Sequence, residues 1–283
     1  MFNELRVSLK EKFEYWGQGI RDEDVMDFSE YDLHEVIQNC QSFKLFRYMP
    51  TTYYGIRNFE KQIIHLSQNG VMNDVYEGIP NSQEDLSYFK IKKLGDLASM
   101  TCLTETNNNT LMWSHYANNH EGICVEYDLK LLQTDPFGIC KHLFPIIYGD
   151  ARPVNRNIHS LIDSHGALKK AIDDHYVYDG DEMLDDILPM FLTKGNEWSY
   201  EQEWRIIYTK KQMYDVDEEI LYSGNLHFPC VTAVYLGYRI NPEIKANLIE
   251  IADRISTAEK RKIQVYQAKL ENTGYGILFD KVN

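Results

Sequence analysis

The sequence predicts an α+β fold built on a mixed or split β-sheet, and three observations lead to this prediction. Short segments with strand composition are distributed along the whole chain. Segments with helical periodicity stand near both ends. One longer helical segment, around 157–193, interrupts the strands and is interpreted as an insertion. We therefore predict an N-terminal helical extension over 1–41, followed by a single α+β domain over 42–283.

The individual elements follow from local signals. Pro50 ends the first strand because proline has no amide proton for a strand ladder. An Asn or Thr before Leu111 can cap a helix that continues to Ala117. The predicted helices are 2–14, 31–39, a short helix after Thr52, 111–117, the segment 157–193, and 242–256 with its apolar stripe. The predicted strands are 43–50, 63–66, 96–105, 122–129, 143–150, 203–210, 231–240 and 262–270.

The composition restricts the partners and the compartment. Acidic residues outnumber basic ones by 43 to 29, and the net charge of −14 argues against non-specific binding to nucleic acid or an anionic membrane. Much of the excess lies in 21–35, which is a solvated face or an arm that binds a partner protein. The five cysteines include no CxxC pair, and no apolar run approaches the ~18 residues of a membrane span. We expect a reduced, cytoplasmic protein without a membrane span.

The segment TLMWSHYANNHEG concentrates aromatic and imidazole side chains on one short helix. Trp113 and Tyr116 share a helix face, so they either wall a ligand pocket or anchor the helix in the core. His115 is either a catalytic or ligand-binding imidazole, or a histidine that hydrogen-bonds a backbone group. The neighbouring Ser114 does not suggest a nucleophile, because adjacent helical residues point about 100° apart and no GxSxG elbow is present.

The segment GNEWSYEQEWRIIY places two carboxylates close to a guanidinium. If residues 200–208 are extended, the side chains of Glu201, Glu203 and Arg205 lie on one face of the strand. This arrangement is either an ion-paired surface or a carboxylate site that stabilises a developing positive charge.

Two further segments carry candidate polar groups. On the strand FKLFRYMP, Arg47 beside Tyr48 either binds a phosphate or carboxylate group or pairs with an acid of the same chain. In the loop GVMNDVYEG, Asp74 caps a turn, or it joins Glu77 in binding a cation or substrate.

Taken in order, these motifs resemble the bacterial family named domain of unknown function 2971. The resemblance lies mainly in LMWSHYANNHEG and WSYEQEWRII, together with the strand SMTCLTE and the arginine-tyrosine strand, and it spans roughly 43–270. Family members often have FNDP in the loop where this chain has MNDV. Because the family's activity is undefined, this resemblance alone implies no function.

A second resemblance, based on the order of motifs, is to ADP-ribosyltransferases. It implies that Arg47 holds NAD near its phosphates, that Thr101 or Thr104 organises the nicotinamide side, and that Glu203 contacts the ribose. Glu201 lies where those enzymes have the residue that activates the target. The remaining residues implied to line the site are Tyr48, Trp113, His115 and Tyr116, with His115 also a catalytic candidate. NAD is the implied substrate, and no metal is expected.

Three hypotheses follow. The first is an NAD-dependent ADP-ribosyltransferase-like enzyme, a bacterial toxin or antiphage effector with a protein or nucleic-acid acceptor. The second is a metal-dependent nuclease of a defence system, which would use His115, Asp74, Glu77 and Glu203 with Mg²⁺. The third is a non-enzymatic sensor or scaffold whose aromatic helix belongs to the core and whose acidic arm binds a partner.

Overall fold

A computed structural model of the chain describes residues 1–17, 31–68, 73–76, 78, 98–152, 188–209, 212–213 and 218–282. The helices with defined bounds are α1 (Phe2–Gly17), α2 (His34–Asn39), α3 (Tyr53–Glu60), α4 (Thr110–Tyr116), α5 (Ile139–His142), α6 (Glu218–Ser223) and α7 (Pro242–Glu259). The strands are β1 (Lys44–Met49), β2 (Ile63–His65), β3 (Ser67–Gln68), β4 (Ala98–Thr104), β5 (Ile123–Asp128), β6 (Leu143–Pro145), β7 (Ile147–Gly149), β8 (Thr193–Gly195), β9 (Glu203–Thr209), β10 (Asn225–His227), β11 (Val231–Leu236), β12 (Gln264–Leu270) and β13 (Ile277–Lys281).

Nine of these strands form one mixed sheet in the order β13-β12-β11-β5-β1-β4-β9-β6, with β3 pairing with β4 outside this path. Strands β11 and β12 run parallel, and the other pairs in the sheet are antiparallel. Two small ladders join β10 to β2 and β7 to β8. The predicted α+β class with a mixed sheet is confirmed.

The sheet is split between β1 and β4. Strand β1 pairs with β5 along its whole length, and β4 pairs with β9 along its whole length. Between β1 and β4, however, only Phe46 and Thr104 are partners. Strand β3 joins β4 at Met100 and Ser99, so the edge of β4 from Thr101 to Leu103 has no strand beside it among the described residues. The two halves of the sheet therefore diverge from Phe46 onward and leave a gap.

Side-chain alternation along the strands produces two cores, one on each face of the sheet. On β1, Leu45 and Met49 join the larger core, whereas Phe46 and Tyr48 join the smaller one. Arg47 alternates with Phe46 and Tyr48, so it lies on the same side of β1 as the larger core. This alternation places the charged side chain next to apolar packing at the split.

The N-terminal helix is packed into the larger core. Leu9 is buried, and the ring of Phe2 lies 5.3 Å from that of Trp204 in an edge-on arrangement. Arg6 is paired with Glu105 and donates to main-chain carbonyls at Ile146 and Glu203. In the described residues, α1 therefore packs against the larger core of the sheet. Residues 18–30, which include most of the predicted acidic arm, lie outside the described residues.

Two predicted elements need correction. The segment 143–150 is two strands in different ladders, because the chain changes partner at Ile146. Most of the predicted helical insertion, 157–187, lies outside the described residues; 188–191 is helical, but Thr193 begins β8. The elements α5, α6, β10 and β13 were not predicted. Of these, β13 pairs with β12 at the edge of the sheet.

Candidate functional site

A cavity of about 510 Å³ fills the split between β1 and β4. Strands β1, β4 and β9, helix α4 and the short strand β8 all contribute to its walls. The lining residues are Phe46, Arg47, Tyr48, Pro50, Ser67, Asn73, Met100, Thr101, Cys102, Leu103, Thr104, Met112, His115, Tyr116, Asn118, Lys194, Glu201 and Glu203. The cavity thus collects eight of the nine site residues predicted from the sequence, which come from four separate segments of the chain.

Helix α4 supplies one wall. Its first turn is capped by the side chain of Asn109, which accepts hydrogen bonds from the amides of Leu111 (2.9 Å) and Met112 (3.2 Å). His115 and Tyr116 at the end of the helix both line the cavity, with His115 exposed and Tyr116 half-buried. The helix therefore presents a polar end to the cavity.

Trp113 is a correction to the predicted set. Its side chain is fully buried and does not line the cavity. It donates from Nε1 to the carbonyl of Asn107 at 2.8 Å and meets the ring of Tyr48 edge-on at 5.2 Å. Around the helix axis, Trp113 lies about 200° from the exposed His115, so its side chain points toward the opposite side of the helix. Trp113 is thus a core residue that packs against the ring of Tyr48.

The deep part of the cavity contains polar atoms without partners. Among the described residues, Nη1 of Arg47 and Oγ1 of Thr101 are buried and have no hydrogen-bond partner. Thr101 is only 2% exposed. The hydroxyl of Tyr48 is also buried without a hydrogen bond of acceptable geometry, although it lies near the backbone of Asn109. Buried polar groups normally find partners. The unpaired atoms of Arg47, Thr101 and Tyr48, which all line the cavity, therefore indicate a place where a ligand supplies the missing partners.

The opposite wall is an ion-pair network centred on Lys194. Its ammonium lies 2.7 Å from a carboxylate oxygen of Glu201 and 2.7 Å from one of Glu203. Arg205, which is fully buried, donates to both oxygens of Glu203 at 2.7 and 3.2 Å. Tyr116 donates its hydroxyl to the other oxygen of Glu201. Helix α4 and strands β8 and β9 are therefore connected through these two carboxylates.

The two glutamates are held in position by their backbone as well. Thr104 donates its hydroxyl to the carbonyl of Glu201 at 2.5 Å, and the amide of Glu203 donates to the hydroxyl of Tyr148 at 2.8 Å. Between them, Gln202 takes a left-handed conformation with φ of 45° and is exposed. This kink replaces the simple alternation that we predicted, yet it leaves Glu201 and Glu203 on the same wall.

Burial and neighbouring charges shift the pKa values of Glu201 and Glu203 in opposite directions. Burial would raise the pKa of Glu203, but the charges of Arg205 and Lys194 outweigh it and hold that pKa well below the ordinary value. For Glu201, burial dominates and the charge of Glu203 adds to it, so its pKa is raised despite Lys194. Glu203 is therefore held in its ionised form, whereas Glu201 is the carboxyl group that is protonated more readily.

The loop around Asp74 forms a turn that the side chain of Asp74 caps. Asp74 accepts a hydrogen bond from the amide of Tyr76 at 2.9 Å, and the neighbouring Asn73 lines the cavity. Glu77 lies outside the described residues. Within the described ranges, no three His, Cys, Asp or Glu side chains are grouped as metal ligands. The same ranges contain no helix with the length and apolar character needed to cross a membrane.

Sequence reasoning missed two residues of the cavity that matter for its chemistry. Lys194 directly follows the predicted helical insertion, where nothing marks it as a partner of Glu201. Cys102 lies opposite Arg205 in the pairing of β4 with β9, and burial followed by the charge of Glu203 raises the pKa of its thiol. Both became visible only through strand pairing.

The fold and the cavity define the class: an α+β domain with a split sheet whose gap holds a charged cavity. The model of a family described as "protein of unknown function (DUF2971)" matches residues 112–206. The predicted resemblance is confirmed for this segment, which runs from α4 into β9 and contains Glu201 and Glu203; Arg47 lies outside it. No curated protein and no solved structure matches the chain.

Proposed function

We propose that this protein is an ADP-ribosyltransferase-like enzyme that binds NAD in the split-sheet cavity. The observation that carries the proposal is the placement of the buried, unpartnered Arg47 Nη1 and Thr101 Oγ1 in the same cavity as the carboxylates of Glu201 and Glu203. Arg47 and Thr101 offer hydrogen-bond donors to an anion, whereas Glu201 and Glu203 offer negative charge to a cation that develops during the reaction.

The donors fit the diphosphate of a dinucleotide. A guanidinium nitrogen and a hydroxyl that lack partners can both donate to phosphate oxygens. In the described part of the chain, Nη1 of Arg47 has no hydrogen-bond partner, so this nitrogen is available to donate to an anion. Tyr48, whose ring meets that of Trp113 edge-on, lines the same cavity.

The carboxylates fit the other half of the reaction. Cleavage of the bond between nicotinamide and ribose develops positive charge at the sugar carbon, as glycoside cleavage does. Glu203, which stays ionised, stabilises that charge electrostatically. The electron pair of the broken bond leaves on nicotinamide, the acceptor nucleophile bonds to the same carbon, and Glu201 takes the acceptor's proton. His115 and Tyr116 stand at the wall where the acceptor would enter.

The test measures NAD binding and nicotinamide release with purified wild-type protein, Arg47→Met and Thr101→Val. Arg254→Met is the control, because Arg254 forms an exposed ion pair with Glu60 away from the cavity. We expect binding to wild type and the control, and weakened binding to both cavity variants. Absence of binding and of nicotinamide release in the wild type would refute the proposal and favour a scaffold role.

The acceptor and the setting are part of the proposal. A protein or nucleic-acid acceptor is identified by transfer of label from labelled NAD to bacterial lysate fractions. The five free cysteines suit a reducing compartment such as the cytoplasm, where a toxin or antiphage effector would meet NAD.

A further inference from the structure

We propose that Lys194 is a positioning residue, whose ammonium holds the carboxylates of Glu201 and Glu203 side by side at the cavity so that Glu201 can serve as proton acceptor. This inference rests on the proposed function and adds a residue to it. Lys194 comes from β8, which belongs to a separate two-stranded ladder, so the sheet alone does not fix the relation between the two glutamates.

The geometry gives Lys194 this role. Both glutamates contribute an oxygen at 2.7 Å from the same ammonium nitrogen, and the lysine side chain is only 7% exposed. Two carboxylates close to one another repel, and repulsion raises the pKa of one of them unless a cation lies between them. Arg205 donates two hydrogen bonds to Glu203, which anchor its guanidinium at that carboxylate.

The remaining contacts of Lys194 fix its own position. Its ammonium lies 5.1 Å from the ring centre of Trp198, and the ring belongs to the 3₁₀ turn Asn196–Glu201 that follows β8. The same turn ends at Glu201. Lys194 therefore binds the last residue of a turn that begins only two residues after Lys194 itself. Tyr116 holds the other oxygen of Glu201. Glu201 thus has one donor on each oxygen when it is ionised.

Several titratable or charged groups face this pair and must be considered with it. Glu203, Tyr116, Tyr148 and Tyr200 influence Glu201 directly, and Arg205 and Cys102 act through Glu203. The tyrosine pKa values are raised, mainly by burial, so these tyrosines stay neutral near pH 7. The thiol of Cys102 stays neutral for the same reason. While these groups stay neutral, the ionisation of Glu201 depends on its burial and on the charges of Lys194 and Glu203.

The test follows the titration of Glu201 directly by carbon NMR of protein labelled at the glutamate carboxyl carbon. The signal is assigned by its loss in Glu201→Gln. In Lys194→Met we expect the titration midpoint of Glu201 to move upward by about 1–3 pH units, because an opposite charge at contact distance has been removed. Lys194→Gln, a milder neutral substitution, should move it in the same direction. An unchanged midpoint in both variants would overturn the proposal.

The matched control is Lys44→Met. Lys44 also forms an ion pair with a buried glutamate, at 2.8 Å from Glu126, but neither residue lines the cavity. This variant should leave the Glu201 midpoint in place. The rate of nicotinamide release is measured against pH in parallel. In the Lys194 variants, the acidic limb of this profile should shift together with the titration midpoint of Glu201.

The two readouts separate this inference from the proposed function. A shifted midpoint in a protein that releases no nicotinamide would support the positioning contact and refute the transferase. Nicotinamide release with an acidic limb that stays unchanged in Lys194→Met would support the transferase and refute the role of Lys194.

Discussion

Replacement of Arg47 by methionine should stabilise the ligand-free protein and abolish its stabilisation by NAD. Among the residues that the structure describes, buried Nη1 of Arg47 has no partner, and leaving a buried donor unsatisfied costs about 1–3 kcal/mol, more for a charged group. Methionine has a similar length and can pack against Leu45 and Met49, which lie on the same side of β1. We therefore expect the free energy of unfolding to rise by roughly 1–3 kcal/mol, although methionine's own packing will change that figure.

The assay is thermal unfolding of wild type, Arg47→Met and the control Arg254→Met, each with and without NAD. For a chain of this size, 1 kcal/mol corresponds to about 2–4 °C in Tm. NAD at about 100 times its dissociation constant should stabilise the wild type by about 2.7 kcal/mol. The inference that Arg47 binds an anionic ligand would be refuted by a lower Tm for Arg47→Met than for the wild type. An NAD-dependent shift in the Tm of Arg47→Met as large as that of the wild type would also refute it. Arg254→Met should change stability by less than about 1 kcal/mol, because it breaks an exposed ion pair.

Three further outcomes are expected. Glu203→Gln should destabilise the protein by about 3–5 kcal/mol in urea unfolding, because it removes the anionic partner of the buried Arg205. Trp113→Phe should lower the free energy of unfolding by about 1–3 kcal/mol through the lost hydrogen bond to Asn107 and lost packing, yet calorimetry should find NAD affinity changed little. Burial lowers the pKa of His142 from 6.5 to about 4; the unfolded chain then binds the extra proton, so stability should fall from pH 6.5 to pH 4. The difference between wild type and His142→Asn, measured by unfolding across that range, should isolate this contribution.

The strand pattern explains why much of the sheet was predictable. Apolar and aromatic residues concentrated in segments such as KLFRYM and ICVEYD predict strands from local sequence, and the alternation of side chains along each strand buries residues on both faces of the sheet. The same alternation predicts that Arg47 points away from Phe46 and Tyr48. What it cannot predict is that β1 pairs with β4 at a single position, because strand order and register depend on contacts between distant segments. The cavity arises from that register.

The role of Lys194 was missed for a similar reason. The helical insertion was predicted to run to Thr193, directly before this lysine. In the structure the chain leaves the helical conformation after Phe191, and Thr193 pairs in register with Ile147. Pairing with a distant strand overrides local helical propensity. Because strand β8 was not predicted, the contact of Lys194 with both glutamates could not be anticipated.

The charges at the cavity differ in what they reveal about function. Glu203, Arg205 and Lys194 satisfy one another, so they contribute to the folded state whether or not a ligand binds. A loss of activity in Glu203→Gln would therefore not distinguish a lost catalytic group from a disturbed wall of the cavity. Arg47 is the opposite case, since its buried nitrogen has no described partner and can only destabilise the free protein. Stability and ligand binding should change in opposite directions at Arg47 and in the same direction at Glu203, and this contrast makes Arg47 the residue that decides whether the cavity binds an anion.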